Sequence, residues 1–267
     1  MAKRQRLDVA VVERCLADTR SRARALILAG DVLVNGQRAQ HAGDAVATSD
    51  VVALRERPRF VSRGGEKLAH ALDRFAVHVD GVITADLGAS TGGFTDCLLQ
   101  RGAHRVYAVD VGYGQIAARL RSNPRVVVME RTNARYLEAL PEPVALIVVD
   151  VSFISLNLIF PVIARLLEGG GRCIPLIKPQ FEAGRTEVGK GGVVRDPRVH
   201  RRVLTETLNG AAGHRLVTRD LTASPLRGPA GNVEFLAHLE LGSAPEEMST
   251  MIDAALAEAA KVGDRGA

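Results

Sequence analysis

The spacing of apolar residues changes along this chain, and each change predicts a different element. Between residues 6 and 30 they recur at helical intervals. Leu7, Val11, Val12 and Leu16 mark one short helix. Thr19 stands as N-cap to a second, which carries Ala25, Leu26 and Leu28 and is ended by Gly30. Asp31 to Gly36 alternates instead, which predicts a strand entering an Asn35-Gly36 turn, and Val46 and Val51 to Leu54 supply further strand material. Beyond Arg57-Pro58-Arg59, whose proline disfavours helix just before it, a helix opens after Phe60 and runs through Leu68, Leu72 and Phe75.

From residue 81 short apolar runs alternate with helical patterns. Strands are predicted over 82–87, 104–110, 125–130, 144–150 and 172–178, with helical stretches near 93–101, 114–121, 133–140 and 156–168. Two late strands near 214–223 and 232–240 bring the sheet to seven strands. This rhythm is that of an α/β fold, a Rossmann-like, doubly wound and mostly parallel sheet. Gln180 to Asp196 is glycine-rich without an apolar period, which predicts a functional loop over the site. Ser243-Ala244-Pro245-Glu246 predicts a capping box opening a terminal helix, with Met248, Met251, Ile252 and Leu256 on the face that packs against the sheet. The expected organisation is a small α+β module over 1–56, a linker over 57–61 and a sheet body over 62–267.

Composition narrows the class. The 267 residues are 46% hydrophobic, enough for real cores, and no apolar run reaches the length of a membrane span. The basic start, Met1 to Arg6, is followed by no apolar signal core, so a cytoplasmic location is expected. Cys15, Cys97 and Cys173 form neither a disulfide framework nor a zinc-ligand spacing, so no metal is expected. The net charge of +5 is unevenly placed: residues 1–63 hold 12 Lys/Arg and 7 Asp/Glu, whereas the remainder is balanced. That asymmetry predicts a polyanion-binding module on a neutral body.

Candidate chemistry centres on Asp86-Leu87-Gly88-Ala89-Ser90-Thr91-Gly92-Gly93-Phe94, where a strand meets a glycine turn and then a helix. Such a turn lets main-chain N–H groups approach a ligand closely. The next strand ends in Asp110, placed to accept from two ribose hydroxyls. Because Gly88, Gly92 and Gly93 do not follow the G-x-G-x-x-G pattern, a pyrophosphate fits poorly. A nucleoside without phosphate fits better, and S-adenosylmethionine is the common one. Ligands in open α/β sheets sit beyond the carboxyl ends of the strands. Asp150 and Lys178 close two adjacent predicted strands, Glu234 opens the last, and Lys67 lies on the helix before the first. A lysine directly after a buried strand is costly without a partner, and Asp150 is the partner expected for Lys178.

Two resemblances follow from these residues. Thr19-Arg20, the apolar helix, Ala29-Gly30, Val32 and Val34-Asn35-Gly36 resemble the S4 RNA-binding domain over roughly residues 6–56. This implies recognition of structured RNA by shape and phosphates, with Lys3, Arg4, Arg6, Arg20, Arg22 and Arg24 as the RNA-binding cations. The Lys67, Asp150, Lys178 and Glu234 set resembles the RNA ribose 2′-O-methyltransferases related to the heat-shock protein RrmJ. Val61 to Leu68, Asp86 to Phe94, Asp110 to Gln115, Arg131-Thr132-Asn133, Asp150 to Leu156, Lys178 to Glu182 and Gly231 to Glu234 narrow this further. Together they are similar to the TlyA family, an S4 domain fused to such a methyltransferase.

That resemblance implies 2′-O-methylation of cytidine in 16S and 23S ribosomal RNA, or in 23S alone for shorter members, acting on rRNA or ribosomal subunits. The basic residues ahead of the S4 core resemble the longer, dual-substrate form. It also implies that Asp86, Gly88, Ala89, Ser90, Gly92, Phe94, Asp110 and Asn133 hold S-adenosylmethionine, and that Lys67, Asp150, Lys178 and Glu234 are catalytic. Pro58 and Phe60 stand where some members have Arg and Trp, so no role of that linker is carried over.

A ribose hydroxyl is a weak acid, so a base must take its proton as it attacks the methyl group. Lys178 serves either as that base, if neutral, or as an electrostatic stabiliser of the alkoxide. Three other readings compete: an RNA base methyltransferase, a membrane-active protein of the haemolysin kind that the family's older label suggests, and a catalytically silent RNA chaperone, which would bind RNA but not S-adenosylmethionine. Against the first, Cys173 lies inside a strand and Asp150-Val151-Ser152-Phe153 lacks an Asn-Pro-Pro-aromatic pattern; against the second, no membrane-spanning run is present.

Overall fold

The computed structural model describes residues 4–55, 58–184, 186–242 and 248–262. Lys3 and the Ser243-to-Glu246 capping box lie outside the described residues. The chain divides into two compact units, Met1–Pro58 and Arg59–Ala267.

In the first unit, strand β1 (Arg4–Arg6) leads into helices α1 (Leu7–Glu13) and α2 (Arg20–Ala29), followed by β2 (Val32–Val34), β3 (Gln37–Arg38), β4 (Ala45–Ala47) and β5 (Val52–Leu54). Thr19 caps α2 as expected, its hydroxyl accepting from Arg22 N at 3.2 Å, and Gly30 ends the helix in the left-handed region at φ 71. Asn35 and Gly36, both at positive φ, turn β2 back onto β3, and β2 also pairs with β5. Two details differ from expectation. Arg4–Arg6, within the basic start, form a strand paired antiparallel with β4. Leu28 is 85% exposed, while Ala23, Leu26 and Ile27 form the buried stripe of α2 with Leu7, Val11 and Val46.

Asp8, fully buried, is the electrostatic centre of this unit. It accepts from Arg6 at 3.1 Å, Arg20 at 3.0 Å and Arg24 at 2.9 Å. The Arg6 hydrogen bond, helped by Arg24 and Arg20, holds its carboxyl well below the usual range against the opposing effect of burial. A depressed carboxyl adds stability that is present above its unfolded pKa of about 4 and lost as pH falls below it. Melts of the whole chain from neutral pH downward are therefore expected to show this unit weakening below about pH 4, with the loss much reduced in Asp8→Asn.

The second unit contains α3 (Gly64–Arg74), β6 (Ile83–Leu87), α4 (Gly93–Gln100), β7 (Arg105–Val109), α5 (Ala118–Arg121), β8 (Val126–Met129), β9 (Val144–Val149), α6 (Phe160–Leu166), β10 (Leu167–Ile177), α7 (Pro179–Glu182), α8 (Pro197–Ala212), β11 (Leu216–Ala223), β12 (Phe235–Leu241) and α9 (Met248–Val262). The seven strands run in the order β11-β12-β10-β9-β6-β7-β8, with β12 antiparallel to both neighbours and β10, β9, β6, β7 and β8 parallel in turn. Strand order reverses between β6 and β9, which opens a crevice at their carboxyl ends. Two apolar layers cover the sheet. One includes Phe160, Ile163, Leu204, Leu208, Ile252 and Ala255, and the other Leu68, Leu72, Phe94, Leu98 and Leu146. The apolar face of α9 packs into the first, as its spacing predicts.

Each of the seven strands overlaps the apolar run that predicts it, whereas three helices are shorter. The stretch near 133–140 is only a 3₁₀ turn at Ala134–Tyr136: Asn133 accepts from Arg135 N at 3.0 Å, and Pro141 keeps Leu140 out of helical geometry. Leu137 still reaches the core. Gly114, at φ 71, delays α5 to a single turn. Pro161, lacking an N–H, separates a 3₁₀ turn at Leu156–Leu158 from α6. β10 starts earlier than expected, at Leu167, with a register shift before Arg172. Its Pro175 stays in register with Val149 of β9, but the ladder to β12 passes from Cys173 to Leu176 without a change of register, because a proline has no N–H to give there.

Candidate active site

β6 ends at Leu87 and the chain turns through Gly88 to Gly92 before α4 begins. Gly88 lies at φ 89, and a Cβ there would stand 2.8 Å from the main-chain oxygen of Asp150. Only glycine therefore lets this turn lie against the end of β9. Gly92 lies at φ 95. A Cβ there would stand 2.3 Å from Leu120 Cδ1, so glycine lets the turn seat on α5, and Gly92 is not among the residues that line the two lobes of the crevice.

Asp86 stands on β6 just before this turn. It is fully buried, with Oδ2 accepting from Thr95 N at 2.9 Å and Thr95 Oγ1 at 2.7 Å. Burial pushes its carboxyl up to about 7, opposed by the Thr95 bonds. It braces the strand-to-helix turn from below and lines neither lobe of the crevice.

The crevice has two lobes that share Gly88, Ser90, Asp150, Ser152 and Phe153. One, of about 730 Å³, is lined by Asp110, Asn133, Val111, Ile154 and Leu158 among others. Asp110 accepts from Ser90 N at 2.7 Å and from Gly112 N at 2.6 Å, so its carboxylate fixes both flanking loops. A carboxylate beside apolar walls suits an adenosine, whose ribose diol donates and whose ring needs apolar contact. The residues present therefore fit S-adenosylmethionine. For Asp110→Ala we expect cofactor affinity to fall by about 1.5–3 kcal/mol, roughly a ten- to hundredfold rise in dissociation constant by calorimetry. Unchanged affinity would remove Asp110 from the site.

The other lobe, of about 530 Å³, brings together Lys67, Asp150, Lys178 and Glu234 with Gly88, Ala89, Ser90 and Phe94. Lys178 Nζ lies 2.7 Å from Asp150 Oδ1, the partner expected from the adjacent strand ends, and also donates to Val151 O and Ser152 Oγ, each at 2.9 Å. Lys67 does not behave as a solvated helix lysine. Its side chain is 8% exposed and pairs with Glu234, itself 2% exposed. The turn at Gly228 closes over that carboxylate, since a Cβ there would lie 2.6 Å from Glu234 Oε1.

Several residues in and around this lobe had no role assigned from sequence. Glu182 accepts from Ser155 Oγ at 2.6 Å and Leu156 N at 2.8 Å, which clamps the loop after β9 to the helix after Lys178; burial raises its carboxyl. Asn232 donates to Gly192 O at 2.8 Å and accepts from Val194 N at 2.9 Å, holding the expected glycine-rich loop so that Gly191 and Gly192 line the lobe. Gln180 Oε1 is buried in this lobe with no hydrogen-bond partner among the described residues. Phe153, at φ 63 and 89% exposed, packs on Phe181 with ring centroids 4.9 Å apart. An aromatic residue held in the left-handed region is a strained feature of the kind that collects at functional sites. Sequence carried each of these inside its motifs, but nothing local marked their partners.

A family model described as FtsJ-like methyltransferase matches residues 60–241, and an S4 domain model matches residues 5–52. YqxC of Bacillus subtilis, named as a candidate rRNA methyltransferase, is 49% identical over 245 residues, covering 89% of this chain and 86% of that protein. The 16S/23S rRNA (cytidine-2′-O)-methyltransferase TlyA of Mycobacterium tuberculosis is 46% identical over 245 residues, covering 90% and 91%. A solved structure from Streptococcus thermophilus, named as a candidate hemolysin, superposes with a TM-score of 0.76 at 41% identity over 99% of this chain and 98% of the other.

Proposed function

Since this chain belongs to the TlyA family, FtsJ-like methyltransferases fused to an S4 domain, we propose that it methylates the 2′-hydroxyl of cytidine in 16S and 23S ribosomal RNA. The observation that carries this reading is the single lobe holding both ion pairs, Lys67 with Glu234 and Lys178 with Asp150, beside the Gly88 turn. S-adenosylmethionine supplies the electrophilic methyl group. Ser90, Asp110 and Asn133 hold its nucleoside end, and Gly88 keeps the main chain close. Asp150 orients the Lys178 amine, which takes the proton of the ribose hydroxyl or stabilises the oxygen anion as it forms. Glu234 fixes Lys67 in the same lobe.

The rim of the cofactor lobe suits RNA. Arg131 stacks on Tyr113 at 4.4 Å and Arg135 on Tyr136 at 5.5 Å, and both tyrosines are 69% exposed. Exposed rings backed by guanidinium groups offer stacking faces for unpaired bases and cations for phosphates. The first unit adds cations of its own. Because Arg6, Arg20 and Arg24 also neutralise Asp8, reversing them would disturb the unit itself, and Arg4 and Arg22 are the cleaner probes. Arg4→Glu with Arg22→Glu is expected to weaken rRNA binding and to lower its salt slope by about one to two. Cofactor affinity should stay within about twofold of wild type, since neither Arg4 nor Arg22 lines either lobe. An unaltered salt slope would place RNA docking elsewhere.

A base-methylating reading loses its nucleophile, because Cys173 is fully buried within β10 and burial pushes its thiol upward. A membrane-lytic reading meets described helices of which none is long and apolar enough to cross a membrane. The proposed place of action is the cytoplasm, on rRNA or a ribosomal subunit. Mapping ribose methylation on 16S and 23S rRNA, with and without the protein, tests the proposal. New 2′-O-methylcytidine is the expected result. Methyl groups found only on bases, or lysis of vesicles without any RNA methylation, would overturn it.

A further inference from the structure

An ammonium group has three N–H bonds, and all three of those on Lys178 are taken by the protein. Asp150 Oδ1, Val151 O and Ser152 Oγ surround Nζ at 2.7, 2.9 and 2.9 Å. These acceptors are not equivalent. A carboxylate and a carbonyl only accept, whereas a hydroxyl also donates. When Lys178 is neutral it has two N–H bonds and one lone pair. The two acceptor-only groups retain the N–H bonds, which leaves the lone pair for the one neighbour able to donate, Ser152. Access points the same way. Lys178 is 8% exposed, while Ser152 is an exposed residue that lines both lobes of the crevice.

We propose that the Ser152 hydroxyl is the proton relay between Lys178 and the crevice. This rests on the ribose-methylation reading given above. In the step, the substrate O2′–H bond breaks as O2′ gains the methyl carbon. The proton passes to Ser152 Oγ while the Ser152 hydroxyl proton passes to the Lys178 lone pair. The sulfonium becomes a neutral thioether, Lys178 becomes an ammonium, and charge is conserved. The reverse relay then returns the proton to water and regenerates the neutral amine.

Two measurements on Ser152→Ala and Ser152→Thr test the relay. Ser152 is exposed, so neither change removes a core contact. The first is single-turnover methyl transfer to rRNA. The second is the exchange of Lys178 ammonium protons with water, followed by nitrogen NMR on labelled protein free of cofactor and RNA. The alanine variant is expected to slow both by about tenfold or more, and the threonine variant, which keeps a hydroxyl, to stay within about threefold of wild type. Wild-type transfer in the alanine variant would overturn the relay. So would slowed transfer with unslowed exchange, because Ser152 would then only position the amine. If wild-type protein left rRNA ribose unmethylated, the reading of function would fail, and the exchange measurement would still decide whether Ser152 conducts the proton.

Discussion

Lys178→Ala is expected to lower the single-turnover rate of methyl transfer by about 10²–10⁴-fold, with cofactor and rRNA affinities largely kept. The amine sits in the lobe that also holds the Gly88 turn, held by Asp150, Val151 and Ser152 with the Phe181 ring 5.7 Å away. Removing it deletes either the base or the charge that stabilises the alkoxide. Lys178→Arg separates the two. Arginine keeps the cation and can still pair with Asp150, but it does not deprotonate in a protein. Near-complete loss in the arginine variant, with folding and cofactor binding intact, assigns Lys178 as the base. Substantial residual transfer assigns it to electrostatics. Wild-type rates in Lys178→Ala would show that the reaction takes place elsewhere.

The second large effect is on stability. Lys67 and Glu234 form a pair whose side chains are 8% and 2% exposed. Glu234→Ala strands an ammonium in a site closed by the Gly228 turn, and breaking a buried pair in this way costs about 3–5 kcal/mol. For a unit of this size that lowers the melting temperature by on the order of 10 °C. Lys67→Met combined with Glu234→Leu removes both charges and is expected to recover most of the stability, since a buried pair gains little over apolar residues of similar volume. Methyl transfer should remain lost in the double variant. Recovery of activity along with stability would make the pair purely structural, and an undiminished melting temperature in Glu234→Ala would show the lysine finding another partner.

What the sequence determined by itself was the order of elements and the ends of the strands. Buried parallel strands read as short continuous apolar runs, so β6 to β10 were legible to within a residue or two except at the start of β10. Lys178 and Asp150 were legible as partners for the same reason: each ends such a run, and adjacent strand ends share one side of the sheet. In the first unit, the Thr19 cap, Gly30 stop and Asn35-Gly36 turn are local chemistry and were equally plain. Helix lengths were not, because a turn held by Asn133 or interrupted by Pro161 can still bury its apolar residues.

Tertiary structure alone decided which side chains face one another across large sequence separations. Lys67 and Glu234 lie 167 residues apart, and nothing near Lys67 distinguishes it from a solvated helix lysine until the fold buries it. Asp86 and Gly92 sit within the motif read as a cofactor contact, yet with the close packing of β6 on α4 and of the turn on Leu120 neither is among the residues that line the two lobes. Asp8 is one acid among many in the sequence, and becomes a centre only when β1 and α2 bring three arginines to it. Local patterns fix backbone periodicity and turn chemistry, whereas the partners of a buried charge are set by which elements pack together.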